Sequence, residues 1–523
     1  MEVSTTRAEP AVAVGGRRLK VSIAPSVLDV VMVMVAGAIF RLLPVLLTSF
    51  PLHDGGMFVV AIRDIREAGS LPATISYNGA GIPFDYPPLA FLVAAILPFD
   101  PLTIVRFAGP IFAMLTIPVF YLIALEILPG RPYAYMASLL YAIAPRGWDW
   151  LIAGGGLTRT PGFLFALLGI WQLLVLYRTL RWRNAVAAAF FGGLGALTHP
   201  EAALFFGMTF ALLVVLHVRD RVTLTRSALV AAGGFLVVLP WIAYLASQGR
   251  LVDLAEAGSQ GTDPGLSLVV FLGRGFTDEA LFPVLATLCL IGSLALAQRR
   301  SWFIPAWLLI EVLLIARGNE TYACVPVALA ASVGLYDAIG RGVLRVRRRN
   351  LLRSNAIRGV LLLTMFWTVA NDAALWVLKA PPFDSLGPSA VSTMNWLASN
   401  TPEDSSFAVV SGAPWFSDVY GEWLPALSGR RSMATVQGFE WKGRSLWDRR
   451  TAAYDQLQQC TKTDATCVAR WMKANGTSKD GYVYVADNDL SSALMESVKA
   501  SPEFDVVHAG DDGVVAKLIA PAM

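Results

Sequence analysis

The chain has 523 residues, of which 55% are hydrophobic and only 15% charged, and its mean hydropathy is +0.56. A soluble globular protein of this length is excluded, because so apolar a chain has too little charge to cover its surface. The net charge of +4 does not signal a nucleic-acid partner, since Arg and Lys concentrate in short links between apolar runs, where they report membrane topology.

Residues 1–26 are polar and carry Arg17, Arg18 and Lys20, which predicts a disordered cytoplasmic tail without a cleavable signal. Spanning a hydrocarbon core takes about 20 apolar helical residues, fewer where a helix is buried among others. Apolar runs at 27–50, 102–127, 132–146, 161–180, 184–199, 201–218, 226–247, 276–297, 302–317, 321–340 and 356–377 predict an α-helical polytopic membrane protein of about eleven spans. The basic links are Arg131, residues 178–183 and 219–226, Arg299-Arg300 and residues 341–358. They alternate with links nearly free of Lys and Arg, so the basic ones and the N-terminus are expected on the cytoplasmic side. An odd number of spans then exports residues 378–523, leaving 27–377 as the membrane domain.

The first outer loop is expected at about residues 51–101. The apolar stretch 86–99 inside it would reach only about 21 Å as a helix and reads as a helix lying on or dipping into the outer face. Phe58, Ile62 and Ile65 share one helical stripe and Arg63, Arg66 and Glu67 another, as an interfacial helix requires. Just before that helix stands His53-Asp54-Gly55-Gly56. A carboxylate held at a membrane surface can serve as a base or a metal ligand for a lipid-borne substrate. The structural alternative makes Asp54 a helix N-cap and Gly55-Gly56 a turn.

Further polar residues fall at the outer side. His199-Pro200-Glu201 lies at a turn between two spans, where a His and a Glu at membrane depth need a reason. Arg159, Arg274 and Arg317 stand in outer loops against the topological bias, with interface snorkelling as their alternative role. Asp85, Tyr86 and Glu320 join them as loop candidates.

Residues 378–523 read as a small α/β domain. Strands are expected at 407–410 and 482–486, helices at 389–399 and 491–500, and a hairpin at Asp511-Asp512-Gly513. Cys460 and Cys467 would close a small disulfide loop if this region is exported. Glu422-Trp423, Arg430-Arg431 and Glu440-Trp441 interleave charges with aromatics, either as a sugar or acceptor surface or as packing against the membrane part.

The run Asp54-Gly-Gly-Met-Phe-Val-Val-Ala-Ile-Arg-Asp-Ile65 resembles the first outer loop of the GT-C membrane glycosyltransferases, in particular the catalytic subunit of oligosaccharyltransferases. Tyr86-Pro87-Pro88, Ala144-Pro145-Arg146, Ala153-Gly154-Gly155, Arg317 with Tyr322-Ala-Cys-Val-Pro-Val327, and Trp396-Leu397 with Asn400-Thr-Pro-Glu-Asp404 extend the likeness over most of the chain. Two departures stand out. Gly156-Leu157-Thr158-Arg159-Thr160 occupies the place of the second acidic metal motif, and Gly412-Ala-Pro-Trp-Phe-Ser-Asp418 the place of the sequon-reading Trp-Trp-Asp. The pattern is therefore similar to the broader group that includes protein O-mannosyltransferases and lipid A aminoarabinose transferases.

The resemblance implies an inverting transfer from a polyprenyl-phosphate sugar donor to a glycan, lipid or protein acceptor at the outer face. Asp54 corresponds to the catalytic acid of the first loop and Arg317 to the partner of the lipid phosphate; by charge and placement in the outer loops, Arg317 ranks first and Arg159 second as the guanidinium for that phosphate. His53, Asp85, Tyr86, His199, Glu201 and Glu320 are expected substrate-binding residues. No cofactor is required on this reading; a metal held by His53, Asp54, His199 and Glu201 is the alternative, without a close-spaced ligand motif to support it. The competing classes are a lipid or solute transporter and a non-catalytic assembly subunit of the same fold.

Overall fold

A computed structural model of the chain describes residues 13–14, 17–18, 26–144, 147–251, 269, 275–277, 279–314, 320–346, 354–378, 384–476 and 481–519. Most of the polar tail 1–26, Arg274, Arg317 and the side chain of Glu320 lie outside the described residues.

The apolar runs fold as helices, and among the described residues five are long and apolar enough to cross a membrane: Pro101–Ile127, Gly156–Thr179, Pro200–His217, Arg221–Ser247 and Thr321–Val343. The expected eleven spans are thus five clear ones together with shorter helices. Val27–Arg41, Arg131–Ile143, Trp182–Ala196, Val284–Gln298 and Phe303–Leu314 run only 12 to 15 residues, and Asn355–Leu378 runs 24. The first run is broken at Leu42, with Pro44 opening a second short helix Leu43–Leu47, because proline cannot donate to the ladder. A short helix is tolerated where protein rather than lipid surrounds its ends, and Arg131–Ile143 is buried along almost its whole length.

Lipid-type exposure shows on Val27–Arg41, where Val27, Leu28, Val31, Met32, Val35 and Ile39 are exposed while Val33, Gly37 and Arg41 are buried. Basic residues of the links also tie helices together. Arg131 pairs with Asp29 at 2.5 Å and Arg178 with Glu126 at 3.0 Å, while Asp337 meets both Arg299 and Arg341.

The elements that build the site are helices α1 (Gly56–Ala68), α2 (Leu89–Ile96), α3 (Gly156–Thr179), α4 (Pro200–His217) and α5 (Val419–Ser428). Helix α2 has eight residues, about 12 Å, too short to span a bilayer, and it leaves Val93 and Ile96 exposed. Helix α1 differs from the interfacial helix that its stripes predict, because Met57, Val59 and Val60 are buried along with Phe58, Ile62 and Ile65. It lies between α2 and α5, and its arginines are taken up by helix ends. Arg66 donates to the carbonyls of Ala94, Ala95, Leu97 and Phe99, and Arg63 to that of Ala426, satisfying acceptors that a helix C-terminus leaves open.

The C-terminal region forms a five-stranded mixed sheet of β1 (Ser406–Val410), β2 (Arg431–Ser432), β3 (Gly481–Ala486), β4 (Phe504–Gly510) and β5 (Gly513–Leu518), in the order β2-β1-β3-β5-β4. β1 runs parallel to β2 and β3, whereas β5 is antiparallel to β3 and β4. The central strands read as unbroken apolar runs because both faces are covered. Phe407, Val409, Tyr482, Tyr484 and Val515 join the core beneath α1, α2 and α5, while Ala408, Val410, Val483, Val485 and Val514 pack into a second cluster on the far side. The expected helices appear at Pro388–Asn400 and Ser492–Ala500, and Cys460 is bonded to Cys467.

A candidate site between the His53 turn and the sheet region

The residues His53 to Gly56 connect the first membrane helices to α1. The backbone turns sharply there, with φ +61° at His53 and +119° at Gly55. Several polar groups of the turn are held from distant parts of the chain. The His53 amide donates to the Asp384 carbonyl at 2.7 Å, and the His53 carbonyl accepts from Trp423 Nε1 at 2.9 Å.

Opposite this turn lies the segment Ala153-Gly154-Gly155. The Gly154 amide donates to the Leu52 carbonyl at 2.8 Å, and the Gly155 amide donates to Asp54 Oδ1 at 2.6 Å. A Cβ on Gly154 would collide with the Asp54 backbone carbonyl, and one on Gly155 would stand 2.6 Å from Asp54 Oδ2. Only glycines let the two loops approach this closely. Asp54 itself is half-buried, and among the described residues no cation pairs with it within 4.0 Å.

Asp54 is not the N-cap of α1. That position belongs to Gly55, which has no capping side chain. The first-turn amides are met instead by Glu422 of α5, whose Oε1 accepts from Gly55 N at 3.3 Å and Met57 N at 3.4 Å. Burial pushes the Glu422 carboxyl up to about 8, helped by the neighbouring Asp54 charge and opposed by these amide bonds.

Arg159, in the first turn of α3, lies over the Trp150 ring at 5.5 Å and donates to the Trp150 carbonyl at 2.9 Å. The same indole meets His53 edge-on at 5.1 Å. Asp54 and Glu201 are the carboxylates that act most strongly on the Arg159 charge. Burial holds the His53 imidazole below its usual range despite Asp54, and Arg159 adds to that push. His53 is therefore a neutral ring at pH 7.

The third group comes from α4 and the segment before α2. His199 caps α4, its Nδ1 accepting from the Glu201 amide at 3.3 Å, and lies 3.9 Å from Glu201 Oε2. Tyr86 bonds Thr158 Oγ1 at 3.1 Å and faces His199 at 6.0 Å. It also packs 5.3 Å from Trp441 of the C-terminal region, and burial raises its phenol well above the usual range.

His53, Asp54, Tyr86, Arg159, His199 and Glu201, spread over some 150 positions of sequence, therefore gather around the N-terminal ends of α3 and α4. Asp85 does not join them. Its carboxyl is fully buried and pairs with Arg250 at 3.2 Å. Among the described residues no three His, Cys, Asp or Glu side chains gather as metal ligands.

Sequence reasoning missed several neighbours. Trp150 carries Arg159. Tyr322 of Glu320–Val333 is buried with its hydroxyl unpaired among the described residues, within electrostatic reach of Glu201 and Arg159, and the Trp441 Nε1 is likewise unpaired. Such buried donors without partners are rare in proteins. The charge and aromatic interleaving at Glu422-Trp423 and Glu440-Trp441 was the signal for the C-terminal contribution.

Long apolar helices, a segment broken between Leu42 and α2, and a mixed sheet packed over it place the chain in a known architecture: it has the fold of the GT-C membrane glycosyltransferases. No protein-family model and no curated protein matches the chain, whereas solved structures do. The archaeal oligosaccharyltransferase AglB from Archaeoglobus fulgidus, in complex with an inhibitory peptide and a dolichol-phosphate, superposes with a TM-score of 0.56 at 13% identity, covering 88% of this chain and 69% of that one. ArnT from Cupriavidus metallidurans bound to undecaprenyl phosphate gives 0.54 at 14% identity, with 95% and 99% covered. The arabinofuranosyltransferase AftD from Mycobacteria gives 0.55 at 18% identity, with 95% of this chain but only 42% of that one covered.

Proposed function

We propose that this protein is an inverting membrane glycosyltransferase that moves a sugar from a polyprenyl phosphate to an acceptor hydroxyl at the extracytoplasmic face. The observation that carries the reading is the half-buried Asp54 carboxylate, aimed by the Gly155 amide and left without a cationic partner among the described residues, in a GT-C fold. The solved ArnT and AglB structures hold undecaprenyl phosphate and dolichol-phosphate respectively, which supports a polyprenyl-phosphate donor here.

The chemistry is a single displacement. The acceptor oxygen attacks the anomeric carbon as its proton passes to Asp54, and the bond from that carbon to the phosphate oxygen breaks, so the lipid phosphate leaves with the electron pair. A positioned base contributes roughly 10²- to 10⁴-fold. On this reading Arg159 would meet the departing phosphate, since a guanidinium fork matches its oxygens. Arg317 is a second candidate from sequence. The neutral His53, Tyr86, His199 and Glu201 would line the sugar. His53, Asp54, Tyr86, Arg159, His199 and Glu201 stand at or just before helix N-termini.

Transfer to an Asn-linked sequon is disfavoured. Asp418, the acid in the stretch that replaces Trp-Trp-Asp, is buried, caps α5 through the Gly421 amide at 3.1 Å and accepts from the Tyr454 hydroxyl at 3.0 Å. The deciding experiment is turnover of undecaprenyl-phosphate monosaccharides (arabinofuranosyl, mannosyl and aminoarabinosyl) by wild type and Asp54→Asn. Loss of transfer with normal folding supports the base, and unchanged transfer overturns it.

A further inference from the structure

We propose that Glu422 and Trp423 of α5 are positioning residues that hold the turn from His53 to Met57 from the C-terminal side, and so leave Asp54 available to a substrate instead of capping α1. The inference rests on Asp54 being the base.

A helix N-terminus attracts the nearest carboxylate, because its first amides have no intrahelical partner and carry partial positive charge. Asp54 directly precedes the N-cap of α1, yet its Oδ1 points to Gly155 in another segment. The vacancy it leaves is filled across 367 positions of sequence by Glu422 Oε1, on Gly55 and Met57. The adjacent Trp423 Nε1 holds the His53 carbonyl, so two consecutive residues grip the turn on either side of Asp54.

The grip is itself fixed. Tyr77 donates its hydroxyl to the Glu422 carbonyl at 2.6 Å and lies 3.4 Å from Oε2. Trp423 is fully buried and meets Phe50 edge-on at 4.6 Å. A Cβ on Gly56 would lie 2.7 Å from the Glu422 carbonyl, so the second glycine of the motif is what admits α5. The charged or titratable groups acting on Asp54 and Glu422 are His53 on the turn, Arg159 on α3, Tyr77 before α2 and Glu440 beyond α5. His53 faces the Trp150 ring, Arg159 donates to the Trp150 carbonyl and Tyr77 bonds Glu422 itself.

The test compares Glu422→Ala, Glu422→Asp and Glu422→Gln in the full-length, detergent-purified chain, with the undecaprenyl-phosphate monosaccharide that the wild type turns over. Gln keeps an acceptor oxygen at full reach, whereas Asp withdraws the carboxylate by one methylene and Ala removes it. Misplacement of a catalytic group by about 1 Å can cost on the order of 100-fold. We expect kcat to fall roughly 10- to 100-fold in Ala and Asp with donor KM within about twofold, and Gln to restore most of it. A purely structural role would not give this split of kcat from KM with rescue by Gln.

If Ala fails to fold, Asp against Gln and the single variant Trp423→Phe decide the matter. A folded Asp variant or Trp423→Phe with wild-type kcat overturns the proposal. Should Asp54→Asn abolish transfer while these variants remain fully active, the positioning role falls and the base stands. Should Asp54→Asn retain transfer, the underlying reading falls first.

Discussion

The Gly155 amide donates to Asp54 Oδ1 at 2.6 Å, joining residues 101 positions apart, and the absence of a side chain on Gly155 is what makes room for the carboxylate. Gly155→Ala would place a Cβ 2.6 Å from Oδ2, the mobile end of a side chain, whereas Gly154→Ala would drive a Cβ into the backbone carbonyl of Asp54. The same substitution one residue apart should therefore split. Gly155→Ala is expected to fold with near wild-type Tm and lose roughly 10- to 100-fold in kcat. Gly154→Ala is expected to lose about 1–3 kcal/mol of stability. Thermal unfolding in detergent alongside turnover separates the two.

Asp54→Asn keeps the size of the side chain and an acceptor for the Gly155 amide, so folding should be unaffected while proton removal is lost. Transfer should drop by about 10²- to 10⁴-fold, with donor KM little changed. Kinetics that show a raised KM at wild-type kcat would assign Asp54 to binding rather than proton transfer.

Arg159 is braced by Trp150 through both a carbonyl bond and ring contact. Lys keeps the charge without the planar fork, and Ala removes both. Donor KM should rise several-fold in Arg159→Lys and at least about tenfold in Arg159→Ala. Titration with undecaprenyl phosphate, which lacks the sugar, should show the same ranking; equal affinity across the three proteins would remove the guanidinium from phosphate binding.

Local signals in the sequence were legible and distant ones were not. Asp511-Asp512-Gly513 sits between two Val-rich runs and marks a hairpin by itself, and the structure turns there between β4 and β5. Phe407 and Tyr482 read as buried strand residues from composition alone, and they stack at 5.1 Å on neighbouring strands. Arg63 and Arg66 looked like a solvated stripe, because the carbonyls that they cap belong to other helices. Asp85 resembled a loop acid with work to do, and its partner Arg250 lies 165 positions away. Charge and hydropathy found the helices but overstated the length of several, since a helix packed inside protein need not reach both membrane faces.

The site divides along the same line. His53 and Asp54 announce themselves beside two glycines after a long apolar run, and His199 and Glu201 by being polar at a helix turn. Nothing local shows that Gly154 and Gly155 would press on Asp54, or that Glu422 would cap a helix more than 350 residues earlier. Those are tertiary contacts, and one sequence carries no record of them beyond the odd placing of Glu and Trp side by side in an otherwise apolar helix.

Stability should depend on pH through Glu422, and the sign follows from its burial. In the unfolded chain the carboxyl ionises near 4.5, whereas in the folded protein burial and Asp54 hold it protonated up to about 8. Below 4.5 both states keep the proton and Glu422 adds no pH dependence. Between 4.5 and 8 the unfolded state binds fewer protons than the folded one, so unfolding becomes progressively easier as pH rises across that window. Above about 8 both are ionised and the loss is complete, on the order of a few kcal/mol. Glu422→Gln has no proton to lose, so its Tm should fall less than that of the wild type between pH 5 and pH 8, and the difference between the two curves isolates Glu422 from other titrating groups. Parallel Tm curves for the two proteins would mean that Glu422 is already ionised in the folded state, with its charge held by the amides of α1.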